Sequence, residues 1–147
     1  MCKLLSTALE LSKVSNVPRM KVACIIARNT KILGWGLNSV KSHPKSKFYS
    51  KKLHAEHAAI ISTSTKNHSN LTAYVARYVV GTGERGLARP CHSCARHLLN
   101  SGVKKVVYTI DNYTYGVLKL SPELLASYKY RGKSYEGKRP KKTSRRS

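Results

Sequence analysis

The sequence predicts a single three-layered α/β domain, and three observations point to it. Segments with helical spacing of apolar residues alternate with short runs of β-formers along the chain, the pattern that layers helices over a sheet. At 147 residues the chain suits one domain able to bury a core without disulfide staples. No internal repeat signals a solenoid or an array.

The elements follow in order. From Cys2 to about Val14, Leu4, Leu5, Ala8, Leu9 and Leu11 recur at helical spacing until Asn16-Val17-Pro18 ends the helix. Val22 to Ala27 and Ile32 to Leu37, joined by the polar turn Arg28-Asn29-Thr30-Lys31, read as a β-hairpin. Val40 to Lys52 is a polar, lysine-rich loop interrupted by Pro44. A second helix begins near His54, runs through Ala58, Ala59, Ile60 and Ile61, and gives way to the polar stretch Ser62 to Asn70. Leu71 to Val80 is a strand, followed by a loop holding Gly81, Gly83 and Gly86. Pro90 suits the first turn of a third helix that stops near Gly102. Val103 to Ile110 is a strand. After Asp111-Asn112, Tyr113 to Leu120 returns as a short strand or runs as a loop. Ser121-Pro122-Glu123 opens a final short helix through Ala126. These elements place the domain at residues 1–127. From Tyr128 to Ser147 the chain turns to Lys, Arg, Gly, Ser and Tyr, a disordered basic tail.

Charge narrows the partners. Lys and Arg number 28 against six acids, a formal net charge of +22. Such a surface meets a polyanion, nucleic acid first of all. An anionic membrane would attract the same charge, but no apolar run is long enough to span one, and the N-terminal residues lack a secretory h-region. Of the four cysteines, Cys91 and Cys94 have metal-ligand spacing, Cys24 sits in the apolar run VACIIA as a core residue, and Cys2 is an exposed terminal thiol. The expectation is a reducing, intracellular setting.

His54-Ala55-Glu56 and Pro90-Cys91-His92-Ser93-Cys94 carry the chemistry. One His and two Cys hold a tetrahedral zinc ion and leave its fourth position to water. Each half of the motif falls where a helix begins, and the free N–H groups there favour thiolates at Cys91 and Cys94. Glu56, two residues from His54, is placed to shuttle protons to and from an activated water without binding the metal. The competing reading is a structural Cys2His2 site with His57, His92 or His97 as fourth ligand, His57 foremost. A carboxylate between the ligands and the lack of a second C-x-x-C speak against it.

This paired motif resembles the cytidine deaminase-like superfamily of zinc-dependent nucleobase deaminases. Gly34-Trp35-Gly36-Leu37-Asn38 is similar to a G-x-G-x-N segment of tRNA adenosine deaminases and to a G-x-N of deoxycytidylate deaminases. The stretch from Asn38 through Pro44 looks like deaminases encoded by bacteriophages. The resemblance covers roughly Met20 to Asp111. It implies a three-layered α/β/α fold with a five-stranded mixed sheet, zinc between two helix N-termini, and hydrolytic deamination. It also implies that Asn38 holds the nucleoside sugar and that the Ala55 and Cys91 N–H groups contact the base. Without the resemblance, Asn38 reads as a turn residue closing a strand. Polynucleotide deaminases place a helix after the strand matching Val103–Ile110. Here about two residues separate it from Tyr113, too few for a crossover. An antiparallel ending is more similar to free-cytidine deaminases and some toxin deaminases.

Three basic zones flank the inferred pocket. Lys41, Lys45, Lys47, Lys51 and Lys52 precede the HAE segment, Arg85 and Arg89 precede Cys91, and Lys129, Arg131, Lys133, Lys138 and Arg139 lie in the tail. Phe48, Tyr49, Tyr113, Tyr115, Tyr128, Tyr130 and Tyr135 are interleaved with them, either as stacking surfaces for unpaired bases or as core cover. The leading expectation is therefore a zinc deaminase converting cytosine to uracil in single-stranded DNA or RNA. The alternatives are a free-nucleotide deaminase of the deoxycytidylate or cytidine type and a polynucleotide adenosine deaminase. A nucleic-acid-binding protein on an inactivated deaminase scaffold is the reading from another class, and the intact catalytic set argues against it.

Overall fold

The computed structural model describes residues 2–40, 53–63 and 69–128. Its elements are α1 (Lys3–Ser12), β1 (Met20–Arg28), β2 (Lys31–Leu37), α2 (Ala55–Ser62), β3 (Leu71–Val79), β4 (Glu84–Gly86), α3 (His92–Asn100), β5 (Val103–Thr109), β6 (Tyr115–Lys119) and α4 (Pro122–Ser127). The sheet runs β2-β1-β3-β5-β6, with β4 paired to β3 off this path. Among the hydrogen-bonded neighbours of the described residues only β3 and β5 are parallel, and the helix α3 between them supplies the crossover that adjacent parallel strands need.

Period-2 alternation sorts the side chains of the sheet to its two faces. Cys24 and Ile26 of β1, Ala73 and Val75 of β3 and Val106 of β5 pack with residues of α2, α3 and α4. Ile25, Ala76 and Val107 face the other way and pack with Leu5 and Ala8 of α1. Cys24 is fully buried and Cys2 exposed, as the sequence leads one to expect.

Two differences from the sequence reading, and one choice that it left open, shape the frame around the site. The glycine-containing loop after β3 holds a short sixth strand, β4. It is fastened by Thr109, whose hydroxyl donates to Gly86 O at 2.7 Å and accepts from Arg77 N at 3.1 Å. Pro90 lies before α3 instead of in its first turn, because Cys91 takes the N-cap. Tyr113 to Leu120 resolves into β6, antiparallel to β5. Asp111 Oδ1 makes the turn by accepting from Tyr113 N at 2.8 Å and Thr114 N at 2.9 Å. Those hydrogen bonds, the Tyr113 N–H first, hold its carboxyl below the usual carboxylate range.

Tyr128, assigned above to the tail, belongs to the folded domain. It is buried and its hydroxyl donates to Pro90 O. Tyr113 and Tyr115 are exposed, so they do not cover the core. Residues 41–52 and 129–147 lie outside the described residues, and with them Lys45, Lys47, Lys51, Lys52, Lys129, Arg131, Lys133, Lys138 and Arg139.

Candidate active site

Helices α2 and α3 start beside one another and aim their N-termini at one point. His54 is the N-cap of α2 and Cys91 that of α3, both with extended backbone and neither with a side-chain cap. Their imidazole and thiol are thus released from capping and turn toward each other. Helix α2 can lie this close to β2 because two positions of the strand lack side chains. A Cβ on Gly36 would stand 2.4 Å from Ala59 N and 2.5 Å from Ala58 Cβ. One on Gly34 would stand 2.3 Å from Thr63 Oγ1. The Gly-x-Gly of the sequence is therefore a packing device that seats the helix carrying Glu56.

His54, Cys91 and Cys94 bring their ligand atoms within 4.8 Å of one another, with His54 Nδ1 3.3 Å from Cys94 Sγ. Zinc–ligand bonds of ~2.0–2.3 Å at tetrahedral angles place ligand atoms ~3.5 Å apart, so one nitrogen and two sulfurs here fit zinc and leave one position open. Cys91 is held down to about 4, first by the hydrogen bond from the Cys94 thiol and also by its hydrogen bond with His54. Cys94, which donates to Cys91 and is buried, is pushed far up. The pair thus keeps a proton that a metal must displace. His54 is raised, chiefly by its hydrogen bond with Cys91.

Glu56 is buried beside the ligands. Burial, the largest influence, raises its carboxyl above the usual range against the pull of its own backbone N–H. A carboxyl so placed can take up and release protons beside the metal ligands. The rival fourth ligands are elsewhere. Buried His57 stacks on His97 with ring centroids 5.3 Å apart, and His92 Nε2 bonds Leu125 O at 3.1 Å.

His54, Glu56 and Cys91 line a cavity of about 520 Å³, within the ~300–1,000 Å³ of small-ligand sites. Ala55 and Asn38 also line it. The Asn38 amide is largely committed to the fold. Its Oδ1 accepts from Ser15 Oγ at 2.6 Å and Val22 N at 2.9 Å, and its Nδ2 donates to Met20 O at 2.8 Å. One N–H of the amide is left over, so the strand-closing role and a place on the cavity wall coexist.

Of the basic residues named from sequence, Arg89 lines the cavity and Arg85 does not. Arg89 Nε donates to Tyr128 Oη at 3.1 Å, and its guanidinium lies 4.8 Å from that ring's centroid. Burial pushes the Tyr128 hydroxyl up to about 12, opposed by Arg89. Tyr128 and the His92–Leu125 bond together clasp the loop that bears Cys91 to α4. The sequence reading missed Tyr128 in this role, because it stands at the edge of a basic run. It also missed Arg19 and Arg77 on the cavity wall. For Arg77 a signal existed: Leu71, Ala73, Val75 and Arg77 share one face of β3, and a cation in that phase is out of place in a core strand.

The family described as the cytidine and deoxycytidylate deaminase zinc-binding region matches residues 1–110. Deoxycytidylate (dCMP) deaminase from the cyanophage S-TIM5 in its apo form is similar in structure, with a TM-score of 0.55 and 28% identity over 72% of this chain and 79% of that one. The same phage enzyme in complex with dCMP and dUMP gives 0.54 and 26% over 71% of this chain and 76% of that one. Cytidine deaminase from Mycobacterium tuberculosis shares the fold, with a TM-score of 0.50 and 19% identity over 71% and 80%. No curated protein matches the chain. With the motif, the converging ligand atoms and the family match in agreement, the chain belongs to the cytidine and deoxycytidylate deaminase family and is a zinc-dependent hydrolytic deaminase.

Proposed function

We propose that this enzyme deaminates the cytosine of a free nucleotide or nucleoside. The observation that carries the reading is the placement of His54, Glu56 and Cys91 on one cavity of about 520 Å³, sized for a small ligand. The likeness to a phage enzyme whose structure holds dCMP and dUMP supports it. His54, Cys91 and Cys94 would hold the zinc, which when bound supplies a Lewis acid that makes water nucleophilic at neutral pH. Glu56 takes a proton from that water and gives it to ring N3 as oxygen adds to C4. It then carries the second water proton to the amino group, the C4–N bond breaks, and ammonia and the uracil nucleotide or nucleoside leave. The Ala55 N–H, in the first turn of α2, has no intrahelical partner and faces the base. Asn38 offers its remaining N–H to the sugar.

The charge of +22 favours a second reading, cytosine in a single-stranded polynucleotide, drawn by the cationic segments outside the described residues. One experiment separates the two. Zinc-loaded protein is incubated with dCMP, deoxycytidine, cytidine and single-stranded DNA and RNA, and uracil and ammonia are measured, with Glu56→Ala as control. Turnover of monomers and not polymers is expected. Turnover only of polymer would replace this reading with the second, and turnover by Glu56→Ala would remove the proton carrier.

A further inference from the structure

The zinc motif accounts for one end of the cavity. It does not account for three cations on the cavity wall, Arg19, Arg77 and Arg89. No carboxylate pairs with any of the three within salt-bridge distance among the described residues. Arg77 is the sharpest case. Its Nε is fully buried and has no hydrogen-bond partner among the described residues, a rare state for a buried polar group and one that a bound ion or water can explain. The side chain is also housed. Gly86 of β4 pairs with Arg77, and a Cβ there would stand 2.9 Å from Arg77 Cδ and 3.2 Å from Cγ. The missing side chain at Gly86 is the channel in which the arginine stem lies.

The position is informative. Arg77 is the next residue after Val75 on the face of β3 that carries the site, ~7 Å further along the strand. Val75 pairs with Cys24, which feels the Glu56 charge. Arg77 bears on Glu56 only as the weakest of the influences on that carboxyl. Arg77 thus lines the cavity from further along the same strand face. Arg89 lines the same cavity. Its Nε is spent on Tyr128, which orients the rest of the guanidinium, and exposed Arg19 stands at the mouth. Guanidinium groups that line one cavity are suited to a phosphate, whose oxygens accept paired N–H bonds.

We propose that Arg77 and Arg89, with Arg19 at the mouth, form a phosphate site that makes the enzyme select a phosphorylated cytosine nucleotide over the nucleoside. The inference rests on the deaminase reading above. The phosphate comes from a free nucleoside monophosphate or from the backbone of a single strand, and the two sources are distinguished by the substrate arms of the test.

The experiment uses the full chain loaded with zinc, as wild type, Arg77→Gln and Arg77→Lys, with folding checked by thermal melting and zinc content. Values of kcat/KM are measured for dCMP, deoxycytidine and a single-stranded oligodeoxycytidylate. Binding of dUMP and of deoxyuridine to each protein is followed by calorimetry. Wild type should favour dCMP over deoxycytidine, and Arg77→Gln should reduce that ratio by ~10- to 100-fold, the worth of one or two charge-assisted hydrogen bonds. Arg77→Lys should recover only part of it, because a point charge replaces the fork. A ratio that collapses for the oligonucleotide instead would assign the site to backbone phosphate. Equal handling of dCMP and deoxycytidine by wild type would overturn the proposal, as would a variant that lowers both in step. The binding arm keeps the two conclusions apart. If no substrate turns over, the deaminase reading fails, while dUMP binding tighter than deoxyuridine and weakened in Arg77→Gln still upholds the phosphate site.

Discussion

Gly36→Ala tests whether the seat of α2 governs the site. The added Cβ would meet Ala59 N at 2.4 Å, Ala58 Cβ at 2.5 Å and Ala58 C at 2.6 Å. Two of these three are backbone atoms, which cannot rotate aside. An ordinary contact near ~3.5 Å requires the helix to retreat about 1 Å. Overpacking of this kind costs ~1–3 kcal/mol. The loss of unfolded-chain freedom on replacing Gly returns ~0.4–1 kcal/mol, so destabilisation wins by ~1–2 kcal/mol. For a domain of this size that lowers Tm by ~4–10 °C. The catalytic cost is larger, since moving α2 moves His54 and Glu56 relative to Cys91 and Cys94, and a 1 Å misplacement is worth up to ~100-fold in rate. Thermal melts and kcat/KM on cytosine substrates measure both. The control is Gly81→Ala, where a Cβ meets nothing within 4 Å. A Gly36→Ala protein with wild-type Tm and rate would refute the claim that this strand seats the catalytic helix.

Other expectations follow from the same geometry. Because burial raises Glu56 in the fold, the carboxyl's contribution to the stability of the metal-free protein is full below its unfolded pKa and is lost as pH rises through the folded one. Metal-free Glu56→Gln should therefore be more stable than wild type at pH 8 and lose that advantage at low pH, as read by urea denaturation at both, while its zinc-loaded form is inactive. Zinc uptake should release at least one proton, mainly from Cys94, seen as buffer-dependent heats in calorimetry; Cys94→Ser should weaken zinc binding and reduce that release. Tyr128→Phe removes the bonds to Pro90 and Arg89 and should cost ~1–2 kcal/mol and weaken zinc ~10-fold through the loosened Cys91 loop, measured by melting and chelator competition. Deleting residues 129–147 should spare monomer turnover and reduce the salt dependence of any polynucleotide binding.

Local chemistry made most of the framework legible. The 3.6- and 2-residue periods located α1, the β1–β2 hairpin, β3, α3 and β5, since apolar spacing reports the face that each element buries. Metal ligation needs particular atoms at particular spacings, so His54, Cys91 and Cys94 could be read directly with Glu56 beside them, while the reaction type came from the family that the paired motif resembles. The short link between Ile110 and Tyr113 already excluded a crossover helix, and the structure decided between strand and loop in favour of the antiparallel β6.

Other features depend on distance in space, to which sequence order is blind. The phase of β3 marks Arg77 as a cation among inward residues, but only the pairing with β1 and β4 puts it over Gly86 and on the wall that holds Glu56. Tyr128 reads as tail because its neighbours are basic. Its burial is decided by α4 folding back onto Pro90, a contact 38 residues apart in sequence. Net charge, a sum over the whole chain, pointed to a polyanion and could not say where cations converge. By itself the sequence determined the metal and the layers and singled out Glu56 as the candidate proton carrier, because these rest on residue type and local period. Tertiary structure decided which arginines share the cavity and how closely helix meets strand, because those depend on packing between segments far apart in the chain.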